Sequence, residues 1–370
     1  MKSLRTFTMT ELCHTSGEPR SVSHAGILLA VLCFLAVASE ARADQVTRKS
    51  DGATLRGEFT DMTVESVSIK LSNGKLESVP VSDIRNVRFD AEPALMSQAQ
   101  VNERSGALDV ALEKYQQVQS ELGGGDKRVS AEVQFLIART LVKLSEADPA
   151  KQPEALKSIQ EFRTGFPTNF RFLEACLLEA ESSSRAGDTA NAQTLLQQVQ
   201  ASSVKGFQLQ AGVQLGRLLL SSGDVNGASI AFDQVVQQST GDTSATTAMF
   251  DGMLGKAMCQ LQQGEVDQAI SALDDVIFKA GDADTRVLAE AWNKKGDCLR
   301  QKNSPKGAMM AYLHVDVLYA SEPAEHAQAL YRLSQLWGPA GHADRADDAA
   351  GRLLEKYPNS TWAKQMRAGN

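Results

Sequence analysis

The side chains best suited to chemistry are few. Beyond position 43 the chain has three histidines, His314, His326 and His342, and three cysteines, Cys176, Cys259 and Cys298. His326 and His342 stand too far apart for the i, i+4 pair that holds a metal on one helix face. They read as solvated surface histidines. An odd number of widely spaced cysteines makes no disulfide framework, and each reads as a small buried residue in a helix. Gly123-Gly124-Gly125-Asp126-Lys127 has the look of a phosphate loop, but the remaining motif residues and the preceding strand are missing. It reads as a joint between two helical pairs. No H-E-x-x-H, G-x-S-x-G, G-x-x-x-x-G-K-[ST] or G-x-G-x-x-G occurs. No catalytic residue, cofactor site or metal site is therefore assigned, and a non-enzymatic protein is expected. Asp274-Asp275 and Asp347-Asp348 read as exposed helix faces.

Composition narrows the class. The chain has 370 residues, 42% of them apolar, a formal charge of -7 and a mean hydropathy of -0.24. An acidic chain offers no general attraction for nucleic acid or anionic lipid. The apolar run from Gly26 to Ala38 follows Arg20 and precedes Ala41-Arg42-Ala43. That is the pattern of a secretory signal peptide covering residues 1–43, cleaved after Ala43. The run is too short to span a bilayer, which takes about 20 residues. The expected location is secreted or periplasmic, with no integral membrane span after cleavage.

Residues 44–90 carry a period of two. Val67, Ile69 and Leu71 alternate with polar neighbours, Asn73-Gly74 marks a hairpin, and Val79 and Val81 resume the alternation. Asp51-Gly52 is a second turn, Leu55, Gly57 and Phe59 mark another strand, and Val87 and Phe89 close the segment. This pattern of turns resembles a small Sm-like or SH3-like β module. Fewer than fifty residues bury little surface alone, so the module is expected to dock on the helical part or on another copy. In the second case it would serve as a homo-oligomer contact through residues 44–90.

Residues 94–362 switch to helical periodicity and repeat. Alanines at 111, 155, 192, 228, 269, 308 and 346 share a frame. Five places earlier stand Gly106, Gly187, Gly223, Gly264 and Gly341, with Asn303 and Ala150 in the other two units. Four and seven places later come bulky or apolar residues, among them Tyr115 and Val118, Phe232 and Val235, Tyr312 and Val315. The glycine supplies a left-handed turn between antiparallel helices, the alanine lets them approach, and the later positions fill the space between pairs. Pro167 and Pro358 end their helices twelve places after the anchor. The first unit lacks a clear first helix, and the second has a longer turn, SEADPAKQPEA.

Trp292-x-x-x-Gly296-x-x-Leu299 and Leu215-Gly216-x-x-Leu219, set in this frame, resemble the tetratricopeptide repeat. The resemblance implies a mostly α fold: an α-solenoid of about seven helical hairpins preceded by the small β module. The ending EKYPNSTWAKQM resembles tetratricopeptide proteins of the bacterial envelope, of the outer-membrane-assembly and Tol–Pal type. It implies a scaffold whose first helices line a concave groove for a protein or peptide of the cell envelope. By the family's contact positions, the groove residues would be Gln210, Val213, Arg217 and Leu220 in one unit and Asp251, Leu254, Met258 and Leu261 in the next. Glu290, Asn293, Asp297 and Arg300 follow, then Tyr331 and Gln335. A self-assembling envelope protein and an enzyme subunit are the alternatives.

Overall fold

The computed structural model describes residues 43–369 apart from Gly124, Asp282 and Ala283. The signal-peptide expectation lies outside the described residues.

Five antiparallel strands come first: β1 (Asp44–Arg48), β2 (Thr54–Met62), β3 (Ser66–Leu71), β4 (Leu76–Pro80) and β5 (Ile84–Arg88), in the order β4-β3-β2-β1-β5. A 3-10 turn, Val81–Asp83, joins the last two. The alternation expected from the sequence holds, since Val67, Ile69, Val79 and Val87 all face inward. β2 and β3 pair Phe59 with Ile69 and Met62 with Val67. Two turns expected from sequence, at Gly52 and Gly74, have positive φ.

Among the described residues fifteen helices follow. They pair as α1 (Ala94–Arg104) with α2 (Leu108–Leu122), α3 (Lys127–Ala147) with α4 (Gln152–Gly165), and α5 (Phe172–Arg185) with α6 (Thr189–Gln200). Next come α7 (Lys205–Ser221) with α8 (Val225–Ser239), α9 (Thr246–Gln262) with α10 (Val266–Ala280), α11 (Thr285–Gln301) with α12 (Pro305–Leu318), and α13 (Pro323–Trp337) with α14 (Ala343–Lys356). The last, α15 (Thr361–Gly369), caps the stack, with Trp362 against Tyr331 at 5.2 Å between ring centres. The fold is a tetratricopeptide-like α-solenoid behind a small five-stranded sheet.

The repeat frame has direct structural content. Gly106, Gly187, Gly223, Gly264 and Gly341 all have positive φ, and Asn303 is the one non-glycine residue with positive φ among the described residues. Each turn is closed by backbone bonds of one pattern: Asp224 N–H reaches Leu219 O at 2.9 Å, and Ser304 N–H reaches Leu299 O at 2.8 Å. In two of the turns an aspartate then caps the second helix, Asp188 on Asn191 and Asp224 on Gly227. Six of the seven anchor alanines are fully buried. Ala346 is the exception: the last second helix buries Ala349 and Leu353 instead, with only α15 beyond it.

Two expectations need correction. The first unit does possess a first helix, α1. Its inner face is partly polar and gave no signature, because Glu103 there accepts from Tyr115 Oη, Arg139 and Lys143. His326 is not a surface histidine but is fully buried. It sits in the first turn of α13, where its ring bridges Asp316 of α12 at 2.8 Å and Tyr357 Oη at 2.7 Å. The three cysteines are buried, as expected, and burial pushes the Cys176 thiol up to about 12.

The β module docks on this chain's own helices. Val46, Phe59, Val67 and Phe89 share one continuous core with Met96, Val129, Phe135 and residues as far as Leu218. Ion pairs seal the contact: Arg128 at the start of α3 reaches Asp44 at 3.2 Å and Asp90 at 3.4 Å.

Candidate functional groove

The β module shares one apolar core with the early helices, and two open hollows lie beyond it around α5, α7 and α9. Glu132 and Arg171 form a buried ion pair, with oxygen and nitrogen 2.7 Å apart. Glu103 lies beside them. Burial works against its charge, but Arg139 and Lys143 hold its carboxyl down at about 2. These charges are satisfied by one another and by Tyr115 within the helical pairs.

Where the sheet ends, an open hollow of about 1180 Å³ is lined by the β module on one side and by α7 and α9 on the other. Lys49, Asp83 and Glu65 line the sheet side; Lys205, Gln210, Val213, Arg217 and Asp251 line the helical side. A smaller hollow of about 500 Å³ lies between α5 and α7, bordered by Glu181, Arg185, Gln214 and Arg217. Arg217 belongs to both.

From Arg217 a charged row crosses three units. Arg217 lies 3.6 Å from Asp251 and 4.0 Å from Glu290. Arg286 reaches Asp251 at 3.0 Å and Glu290 at 3.2 Å, and Lys294 reaches Glu290 at 3.2 Å. Burial pushes the Asp251 carboxyl up, against the pull of Arg286 and Arg217. Burial also opposes ionisation of Glu290, but Lys294, Arg217 and Arg286 together hold it below its ordinary value. Further along, Asp297 accepts from Tyr312 Oη at 2.7 Å and from Gln328 at 3.1 Å, with Arg300 at 3.6 Å.

The groove positions named from the sequence divide by exposure. Gln210, Arg217 and Asp251 meet at the larger hollow; Val213 borders it but is 5% exposed and packs with Leu209, Val235 and Ala245, so it belongs to the core. Arg300 and Gln335 are exposed, and Glu290 and Asp297 are half-buried members of the charged row. Leu254 is 1% exposed and packs with Phe250 and Leu288, so it belongs to the core. Met258 and Leu261 pack against the same cluster, and Leu220 packs beside Phe232. Asn293 is buried and donates to Glu325 Oε2 at 2.7 Å. Tyr331 is buried under the C-terminal cap. Sequence reasoning missed Arg286, four residues before Glu290 on the same helix face. It also missed Lys49 and Lys205, because the sheet's placement over the groove has no local signature.

Among the described residues no group of three or more His, Cys, Asp or Glu is placed to hold a metal ion. No described helix is long and apolar enough to cross a membrane.

Residues 254–323 and 328–360 match models of the tetratricopeptide repeat. A tetratricopeptide repeat protein from Parabacteroides merdae is similar over 70% of this chain and 91% of its own, with 14% identity and a TM-score of 0.50. The quorum sensor NprR from B. thuringiensis, in its apo form, is similar over 70% of this chain and 74% of its own, at 12% identity and a TM-score of 0.54. RapI in its apo form covers 72% of this chain and 97% of its own, at 12% identity and a TM-score of 0.51. Identities this low speak for the fold alone. No curated protein matches the chain in sequence. The chain thus carries tetratricopeptide repeats.

Proposed function

We propose that this protein is an exported, non-enzymatic scaffold that holds a protein or peptide of the cell envelope in the groove between the β module and helices α7, α9, α11 and α13. The single observation that carries the reading is the open hollow of about 1180 Å³ beside two exposed polar side chains of α7, Gln210 and Arg217. Repeat stacks leave such a face as a ready surface for an extended chain. The quorum sensor NprR, solved in its apo form, has a solenoid of the same fold. Export rests on the apolar run Gly26–Ala38 and the Ala41-Arg42-Ala43 pattern. The envelope assignment, with its Tol–Pal and outer-membrane-assembly flavour, rests on the ending EKYPNSTWAKQM. The Sm-like or SH3-like reading of the sheet draws support from its strand order and from the short 3-10 turn before β5. Self-assembly through that sheet loses its motive, since the sheet's apolar side is already covered by the chain's own helices.

Photo-activated crosslinkers at Gln210 and Gln335, with Gln237 on the exposed face of α8 as reference, test the groove in native cells. Adducts formed from the first two and not from the third support it. Equal labelling at all three positions, or adducts at Gln237 alone, counts against it. N-terminal sequencing of the purified protein tests export, with Asp44 as the expected first residue.

A further inference from the structure

We propose that the groove's occupant is an acidic, extended peptide segment, read through its side-chain carboxylates by Arg217 together with the outward edge of Arg286. This rests on the groove reading above and adds the chemistry of the ligand.

The argument is the layering of charge. Asp251 and Glu290 form the floor, their side chains 18% and 15% exposed. The cations stand above them, Arg217 at 53% and Arg286 at 41%. Lys205 over Asp242 repeats the layering at the mouth, 51% against 30%. A visitor therefore meets positive groups first, in a chain whose net charge is -7.

Hydrogen bonding singles out Arg217. Arg286 already donates to Asp251 and Glu290. Arg217 is held only by charge, at 3.6 and 4.0 Å, and makes no hydrogen bond among the described residues. A guanidinium carries five donors in a planar fork that matches a carboxylate in two parallel bonds. That fork is unused, and it stands on the ridge between the two hollows. The acids of the sheet wall are turned to local donors: Asp83 accepts from Ser50 N–H at 2.8 Å and Ser50 Oγ at 2.9 Å, and Glu65 accepts from Ser203. They keep their charge, but they stand on the sheet side of the hollow, across from the cations of α7. A basic segment would instead have to displace Arg217 and Arg286 before reaching the acidic floor.

Three labelled twelve-residue peptides, acetylated and amidated so that their termini carry no charge, test this on the full chain by fluorescence anisotropy. They alternate Ala with Glu, Gln or Lys. The Glu peptide should bind at least tenfold more tightly than the Gln peptide and weaken as salt rises. Arg217→Ala should weaken it about tenfold, since a charge-assisted pair is lost. Arg217→Lys should restore only part, because the fork is gone. The double variant Arg217→Ala with Arg286→Ala should abolish the preference, and the single variant stands alone if the double fails to fold. A Gln peptide bound as tightly as the Glu peptide, or an Arg217→Ala protein that binds the Glu peptide as tightly as the parent does, overturns the acidic ligand and leaves the groove standing. Binding confined to the same Glu peptide with a free C-terminal carboxylate overturns recognition through side chains. No binding by any peptide overturns the groove reading and this inference with it.

Discussion

Glu92 sits where β5 gives way to α1, 5% exposed, with Oε2 accepting from Phe89 N–H and Oε1 from Ser97 Oγ, both at 3.4 Å. Two long bonds do not replace the water a carboxylate loses. Burial pushes its carboxyl up to about 7, and nearby Glu132 adds to the effect while Arg88 opposes it. The unfolded chain gives up this proton near the ordinary glutamate value, whereas the folded chain keeps it until about neutrality. Stability therefore loses nothing to Glu92 in acid, falls as pH rises from about 4.5 to about 7, and stays lowered above that. Glu92→Gln removes the titration and keeps the shape. The variant should match the parent near pH 4 and exceed it at pH 8 by at most about 3 kcal/mol. Urea unfolding at both pH values measures this, and an equal offset at the two would refute it. The change of period between residues 90 and 94 showed a break between modules but not this burden, because the strands and α1 share one core that only the fold assembles. The turns were easier to read. Asn303 in the glycine position already implied the left-handed backbone that the structure shows, since only local sterics are involved.

At the scale of an element, Phe232 on α8 shows how the pairs are stacked. Its ring lies between Gly216 of α7 and Gly255 of α9. A methyl group on either glycine would come within 2.6 Å of the ring at Gly216 and within 2.3 Å at Gly255. One aromatic side chain thus sets the spacing of three helices, and Tyr312 does the same against Gly296. Gly255→Ala should cost about 1–3 kcal/mol through overpacking. Phe232→Leu should be destabilising alone, yet recover part of that loss when combined with Gly255→Ala. Such coupling marks shared space, and strictly additive losses in the double variant would show that the ring and the glycine do not meet. The frame of alanine, +4 and +7 positions predicted this core well, since Tyr115, Ile159, Phe232, Leu273 and Tyr312 are all fully buried. The same frame overreached in the groove. It assigned Leu254, Asn293 and Tyr331 to the open face by analogy of position. The actual rotation of each helix, set by neighbours such as Leu288, Glu325 and Trp362, turned them inward. Contact frames carry over between repeats as far as packing is the same, and the C-terminal cap and the buried amide break that sameness.

The whole molecule depends on a contact that no repeat pattern contains. The five strands and the first seven helices bury a single apolar cluster, from Val46 to Leu218. Arg128 ties α3 to Asp44 and Asp90, and Ser82 packs on Gly206 at the start of α7, where a Cβ would come within 2.6 Å of it. The sheet is thus a wall of the solenoid, and it decides how much groove is left open. Deleting residues 44–90 should then open the apolar cluster that Val46, Phe59, Val67 and Phe89 share with the early helices, and leave Arg128 without Asp44. The shortened chain should melt at a lower temperature and associate through the bared surface, visible as a rise in mass by light scattering. Its helices from α9 onward rest on separate clusters, those of Phe250 with Leu273 and of Tyr312 with Leu353, and should keep their protection from hydrogen exchange. A shortened chain that stays monomeric with an unchanged melting temperature would mean that the sheet is an appendage. Loss of protection throughout, α13 and α14 included, would mean that the stack folds as one cooperative unit from the sheet outward rather than as neighbours that support each other locally.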